Sequence, residues 1–126
     1  MSQAVAVLKD EQQQPVPVVW RKTIAEIVAA FKEGDFSLSR GINGVRFISE
    51  KDAAGIAETI RGYGAQLISL PEGTWNTSAC QWYGQHWDVI VDLYTVEEGA
   101  SDLVLQLRVD EEGAAYAFEV HLVYVP

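Results

Sequence analysis

A chain of 126 residues with 48% hydrophobic and 21% charged positions has the length of one domain and the composition of an ordinary folded protein, which excludes a disordered or fibrous class. No apolar run approaches the roughly 20 residues of a membrane-spanning helix, so no membrane association is expected. The net charge of −9 is lopsided: residues 1–65 carry eight Asp/Glu and eight Lys/Arg, while residues 66–126 carry ten Asp/Glu and a single base, Arg108. That field argues against nucleic acid, whose binding needs Lys and Arg, and favours cations or a basic protein.

The opening MSQAVAVLKDEQQQP has no basic region ahead of its short apolar run and does not read as a secretory signal. Cys80 is the only cysteine, which rules out an internal disulfide and fits a reducing compartment; the cytoplasm is the expected location. Residues 1–17 hold the alternating AVAVL and the polar KDEQQQ, either an added edge strand or a frayed tail, closed by Pro15 and Pro17. A single domain is expected over residues 18–126.

Trp20, Ile24, Ile27, Val28 and Phe31 recur at steps of three and four, which predicts an amphipathic helix stopping near Gly34. The connector DFSLSRGINGVRF offers Phe36, Leu38 and Phe47 as apolar anchors, with Gly41 and Gly44 suited to turns. Ser49, with Asp52 three residues on, caps a second helix whose buried stripe is Ala53, Ile56, Ala57, Ile60 and Tyr63; Gly64 ends it.

From Ala65 the apolar period changes to two. AQLISL reads as a short strand. HWDVIVDLY, DLVLQLRV and YAFEVHLVYV follow as better ones, with Trp87, Val89, Val91, Leu93, Leu103, Leu105, Leu107, Val109, Tyr116, Phe118, Val120, Leu122 and Tyr124 on the apolar side. VEEGAS and DEEG are short enough for hairpins. The expected fold is α+β: two N-terminal helices packed on one face of a C-terminal antiparallel sheet of about four strands.

The opposite sheet face gathers His86, Asp88, Asp92, Arg108, Glu119 and His121. The pairs His86/Asp88 and Glu119/His121 each stand two residues apart, a spacing of about 6.5–7 Å along one strand face, and imidazole with carboxylate is a plausible transition-metal set. In a simple meander the middle strand separates the two pairs by nearly 10 Å, so one ion cannot hold all four groups, and polar side chains on a solvated face are the plainer explanation. Asp88 is expected opposite or beside Arg108, an ion pair that contributes about 0.2–1 kcal/mol when exposed and helps set register. Cys80 with His86 and Asp88 invites a nucleophile, but acidic surroundings disfavour thiolate, so a small buried thiol fits better. Ile90, Val104, Val123 and Val125 interrupt this polar face, which suggests cover by the N-terminal segment, a second copy, or another protein.

The stretch TWNTSACQWYGQHWDV concentrates aromatic residues ahead of the first good strand. Trp87 is expected in the core, while Trp75, Trp82 and Tyr83 lie in an irregular run that lids the core's end, with room for one ring to line a cleft.

Trp20-Arg21, Glu33-Gly34-Asp35, Leu70-Pro71-Glu72, Thr74-Trp75, Gln81-Trp82, HWDVIVDL at 86–93, EEGASDLVL at 97–105 and the closing VHLVYVP carry a family likeness. On these strings the chain resembles a family of small uncharacterised bacterial proteins known only as a domain of unknown function, over about residues 18–126. The resemblance implies no activity, cofactor or site residue.

The function expected from these features is a non-catalytic binding module for a basic protein, by analogy of charge and size with immunity or antitoxin proteins. Its expected binding residues are Trp75, Trp82, His86, Asp88, Asp92, Arg108, Glu119 and His121. No catalytic residue, metal site or cofactor is assigned. The alternative is a small-molecule or metal-dependent enzyme using a pocket at the Trp-rich edge, and a third reading is a homodimer through the outer sheet face.

Overall fold

A computed structural model of the chain describes residues 7–126. Helices α1 (Val18–Lys32) and α2 (Glu50–Tyr63) come first, then a 3-10 turn (Glu72–Asn76) and strands β1 (Ala79–Trp82), β2 (Trp87–Thr95), β3 (Gly99–Glu112) and β4 (Ala115–Tyr124). The strands pair antiparallel in the order β1-β2-β3-β4. This is the α+β layout the periodicities predict. No helix among the described residues is long and apolar enough to cross a membrane.

The helices form where their stripes demand. Trp20, Ile24, Ile27, Val28 and Phe31 are all buried on α1. Ser49 caps α2, its hydroxyl accepting from the Asp52 N–H at 3.2 Å, and Gly64 closes that helix at φ 82°, a conformation glycine adopts without a Cβ clash. Trp20 anchors α1 against the sheet, edge-on to Trp87 (5.2 Å), Tyr116 (5.4 Å) and Phe118 (6.2 Å) between ring centroids. α2 lies against β4. Between helices and sheet sits one continuous core, in which Trp87, Val89, Val91 and Leu93 of β2 meet Leu103, Leu105, Leu107 and Val109 of β3.

Four expectations are corrected. AQLISL forms no strand: it makes only the bridge Leu67 to Thr95, with the Ile68 N–H donating to the Tyr94 carbonyl, because the edge position beside β2 belongs to another segment. That segment is β1, in the run expected to be irregular. There Cys80 and Trp82 point inward beside Val89 and Trp87. The Tyr83 N–H bonds the His86 carbonyl at 2.8 Å and Gly84 takes φ 91°, closing a hairpin. The third correction is in β4. A register shift between Gln106 and Leu107 leaves His121 as an extra residue, so Leu122 faces Gln106 and Val123 faces Leu105. Leu122 is therefore 41% exposed and Val123 4%, the reverse of strict alternation.

The fourth concerns Phe47, which is exposed, while its neighbour Ile48 enters the core. The connector explains this. Gly44 accepts from the Phe118 N–H and the Arg46 N–H donates to the Phe118 carbonyl, so residues 44–46 run parallel beside β4 and shield its free edge. Gly44 sits at φ 80°, and a Cβ there would approach the Tyr116 carbonyl oxygen to 3.2 Å. Ile48, whose N–H bonds the Ser37 carbonyl, takes the inward place instead of Phe47.

Of the AVAVL run, residues 4–6 lie outside the described residues. Downstream, Gln14 pairs with Cys80 through two backbone hydrogen bonds (2.9 and 2.8 Å), and Val7 and Val16 join the core. The indole N–H of Trp87 donates to the Leu8 carbonyl at 3.0 Å.

Candidate functional site

The sheet face turned away from the helices is ordered by register into two cross-strand rows. One runs Gln81–Asp88–Arg108–Glu119 and the next Ala79–Ile90–Gln106–Leu122. β3 lies between the two histidine–carboxylate pairs, as a meander requires. His86 Nε2 stands 3.3 Å from Asp88 Oδ1, and His121 Nε2 stands 3.7 Å from Glu119 Oε1. Among the described residues no three His, Cys, Asp or Glu side chains group in a way that could hold a metal ion.

Arg108 faces Asp88 in register, yet the expected ion pair is not made. Asp88 takes His86 instead, and Arg108 forms no ion pair among the described residues. Its Nε is buried and has no hydrogen-bond partner there. Glu119 is held by Arg46 at 3.5 Å, and the same guanidinium reaches Glu112 at 3.3 Å. Lys9 pairs with Glu111 at 2.7 Å. Bases from the neutral half thus cross over to three acids of the acidic half. Glu72, Asp88, Asp92, Glu97, Glu98, Asp102 and Asp110 have no Lys or Arg at ion-pair distance among the described residues.

Some of these carboxylates are fixed by other groups. The Asp92 carboxylate accepts from the Thr77 hydroxyl, its carbonyl from the Thr74 hydroxyl, and its N–H donates to the Ser78 hydroxyl at 3.1 Å. Thr74 and Ser78 are buried, so this expected site residue holds the 3-10 turn to β2 where the β2–β3 register shifts. Glu97 accepts from the Gln66 N–H at 2.9 Å, and Glu98 from the Tyr63 hydroxyl. The Glu98 carboxylate, accepting that hydrogen bond, pushes the Tyr63 hydroxyl above its ordinary range.

The tryptophans lie elsewhere. Trp75 is buried in the 3-10 turn with the Arg21 guanidinium 5.4 Å from its ring, on the α1 side. Trp82 is half-buried at the inner edge, 4.5 Å from Trp87, with Lys9 at 5.3 Å over its ring. Neither shares the outer face with His86, Asp88, Arg108 and Glu119, while His121, the extra residue of the β4 bulge, lines a hollow with Lys51, Asp52 and Thr59 of α2. Cys80 is buried, and burial pushes its thiol up to about 11, which leaves it without thiolate at neutral pH.

The ends of the outer face are partly apolar: Ile90 is 37% exposed and Leu122 41%, while Val104, between Asp92 and Tyr124 in register, is buried outside the main core. Beside β1 a hollow of about 110 Å³ is lined by Gln13, Gln81, Tyr83, Asp88, Ile90 and Gln106. The spacing of the sequence did not single out Gln13, Gln81 or Gln106, because amides carry no charge signal. Their meeting depends on β1 and on the Gln14 bridge.

Among the described residues two helices precede a four-stranded antiparallel sheet, and an α+β protein of this layout is the class these features define. The chain belongs to a family described as a domain of unknown function (DUF7668), matched over residues 28–126. No curated protein and no solved structure matches it.

Proposed function

We propose that this chain is a non-catalytic protein-binding module of the cytoplasm that captures a basic protein on its outer sheet face, as an immunity or antitoxin protein would cap a basic toxin. The observation that supports the reading best is the make-up of that face: exposed Ile90 and Leu122 stand in the row next to the one holding Asp88 and Glu119, within a half-chain of ten acids and one base. Apolar surface ringed by charge suits an interface, and the unneutralised field draws a cationic partner toward it. The buried, high-pKa thiol and the separation of the tryptophans from the histidines speak against the enzyme reading at this face.

The test begins with capture from the source cells, then titration of the purified captured protein by calorimetry across salt concentrations. A basic partner whose affinity falls steeply from 50 to 400 mM salt, and falls again with Ile90→Ser, is the expected result. Affinity indifferent to both salt and Ile90→Ser would refute the reading.

A further inference from the structure

We propose that the hollow beside β1 is a receptor for one arginine side chain of the partner. The proposal rests on the reading of the outer face as a docking surface for a basic protein and names the chemistry of its central contact.

Size comes first. At about 110 Å³ the hollow is well below the roughly 300–1,000 Å³ of a typical small-molecule site, so it accepts a single side-chain head group. Its lining is rich in acceptors. The Gln81 Nε2 donates to the Glu11 carbonyl at 2.6 Å, which leaves the amide oxygen as the end free to accept. The side-chain amides of Gln13 and Gln106 make no hydrogen bond among the described residues. Asp88 contributes a carboxylate whose ion-pair partner is an imidazole, charged only when protonated. At the rim, the exposed Tyr83 ring lies 6.2 Å from His86 at an interplanar angle of 27°, presenting a flat aromatic face.

A guanidinium matches this set better than an ammonium. It brings five N–H donors in a planar fork, enough for Asp88 and the neighbouring amide oxygens together, and its plane can lie on the Tyr83 ring. Lysine brings three donors from one point and satisfies fewer of these acceptors. Arg108 bears on the same contact. It faces Asp88 in register without pairing to it, so its charge opposes an incoming arginine. Removing that charge should therefore strengthen binding.

The test uses the full chain with deca-arginine and deca-lysine peptides, followed by calorimetry and by NMR of side-chain amides. Deca-arginine is expected to bind about fivefold tighter than deca-lysine and to shift the Gln13, Gln81 and Gln106 carboxamide signals. Asp88→Asn should weaken deca-arginine about tenfold and erase the preference, and Arg108→Met should tighten it about threefold. Gln106→Leu, which keeps the fold's charge intact, should halve the preference or more. An unchanged arginine preference in Asp88→Asn overturns the receptor while leaving charge-driven capture standing. Weaker binding in Arg108→Met also overturns it, since Arg108 would then be the contact. Failure of both peptides to bind, with no salt-sensitive partner found, would instead remove the docking reading itself.

Discussion

Alanine substitutions at Leu122 and Val123 separate a bulged β4 from an unbroken one. Val123 is 4% exposed and lies beside Leu105 in register on the inner side, whereas Leu122 is 41% exposed and pairs with Gln106 on the outer side. Val123→Ala removes two buried methyl groups, each contributing about 0.8 kcal/mol of transfer energy, and adds a cavity term, for about 2–3 kcal/mol in all. Leu122→Ala removes more carbon, but from a half-wet position with no sealed cavity behind it, and should cost about 0.5–1 kcal/mol. Urea denaturation at pH 7 reads the difference: with a slope of about 1.5–2 kcal/mol/M, the midpoint should drop by about 1–2 M for Val123→Ala and by about 0.3–0.7 M for Leu122→Ala. A larger loss at Leu122 than at Val123 would mean that β4 keeps strict alternation through His121, and the outer face would lose the Leu122 side chain.

Three further outcomes follow from individual side chains. Native Cys80 should react with an aromatic disulfide reagent at pH 8 more than a hundredfold slower than a free thiol, because a pKa near 11 leaves about 0.1% thiolate; urea should restore the rate. Asp35 accepts from the Ser39 N–H and hydroxyl and from the Arg40 N–H, and the Ser39 backbone donor leads in holding its carboxyl below the ordinary range. A depressed native pKa means that the unfolded chain binds the proton first, so the stabilisation is present above about pH 4 and lost as pH falls through the native value. Asp35→Asn should therefore lower the urea midpoint at pH 7, with the gap to the parent closing below that pH. Tyr63→Phe should also lower the midpoint, because the hydroxyl both donates to Glu98 and accepts from the Asp102 N–H at 3.1 Å. Its raised pKa places that contribution below pH 10, and it is lost as pH rises further.

The inward faces of β2 and β3 were legible because their alternation is unbroken and every apolar position found the core. Both helices were legible from their stripes at steps of three and four, with Ser49 and Gly64 marking the bounds of the second, although Ala57 and Tyr63 of its expected stripe are only half-buried. The bulge at His121 was not, since Leu122 and Val123 are both apolar and a one-residue insertion leaves no trace in composition. β1 hid in an aromatic run, although Cys80 and Trp82 against Ala79 and Gln81 do alternate and Gly84 offered a turn. On the outer face, residue spacing brought Asp88 opposite Arg108 but could not foresee that His86 would occupy the carboxylate. Asp92 and Trp75 were drawn off by the 3-10 turn and by Arg21, contacts between segments that no local pattern announces.

Side-chain methyl NMR of the chain bound to its captured partner tests the docking face most directly. The Ile90 and Leu122 methyl signals should shift or broaden on titration while those of Ile24 and Leu105, sealed in the core, stay in place. Perturbation confined to Val18 and Val19 on α1, with Ile90 and Leu122 silent, would place the partner on the other side of the molecule and contradict the account.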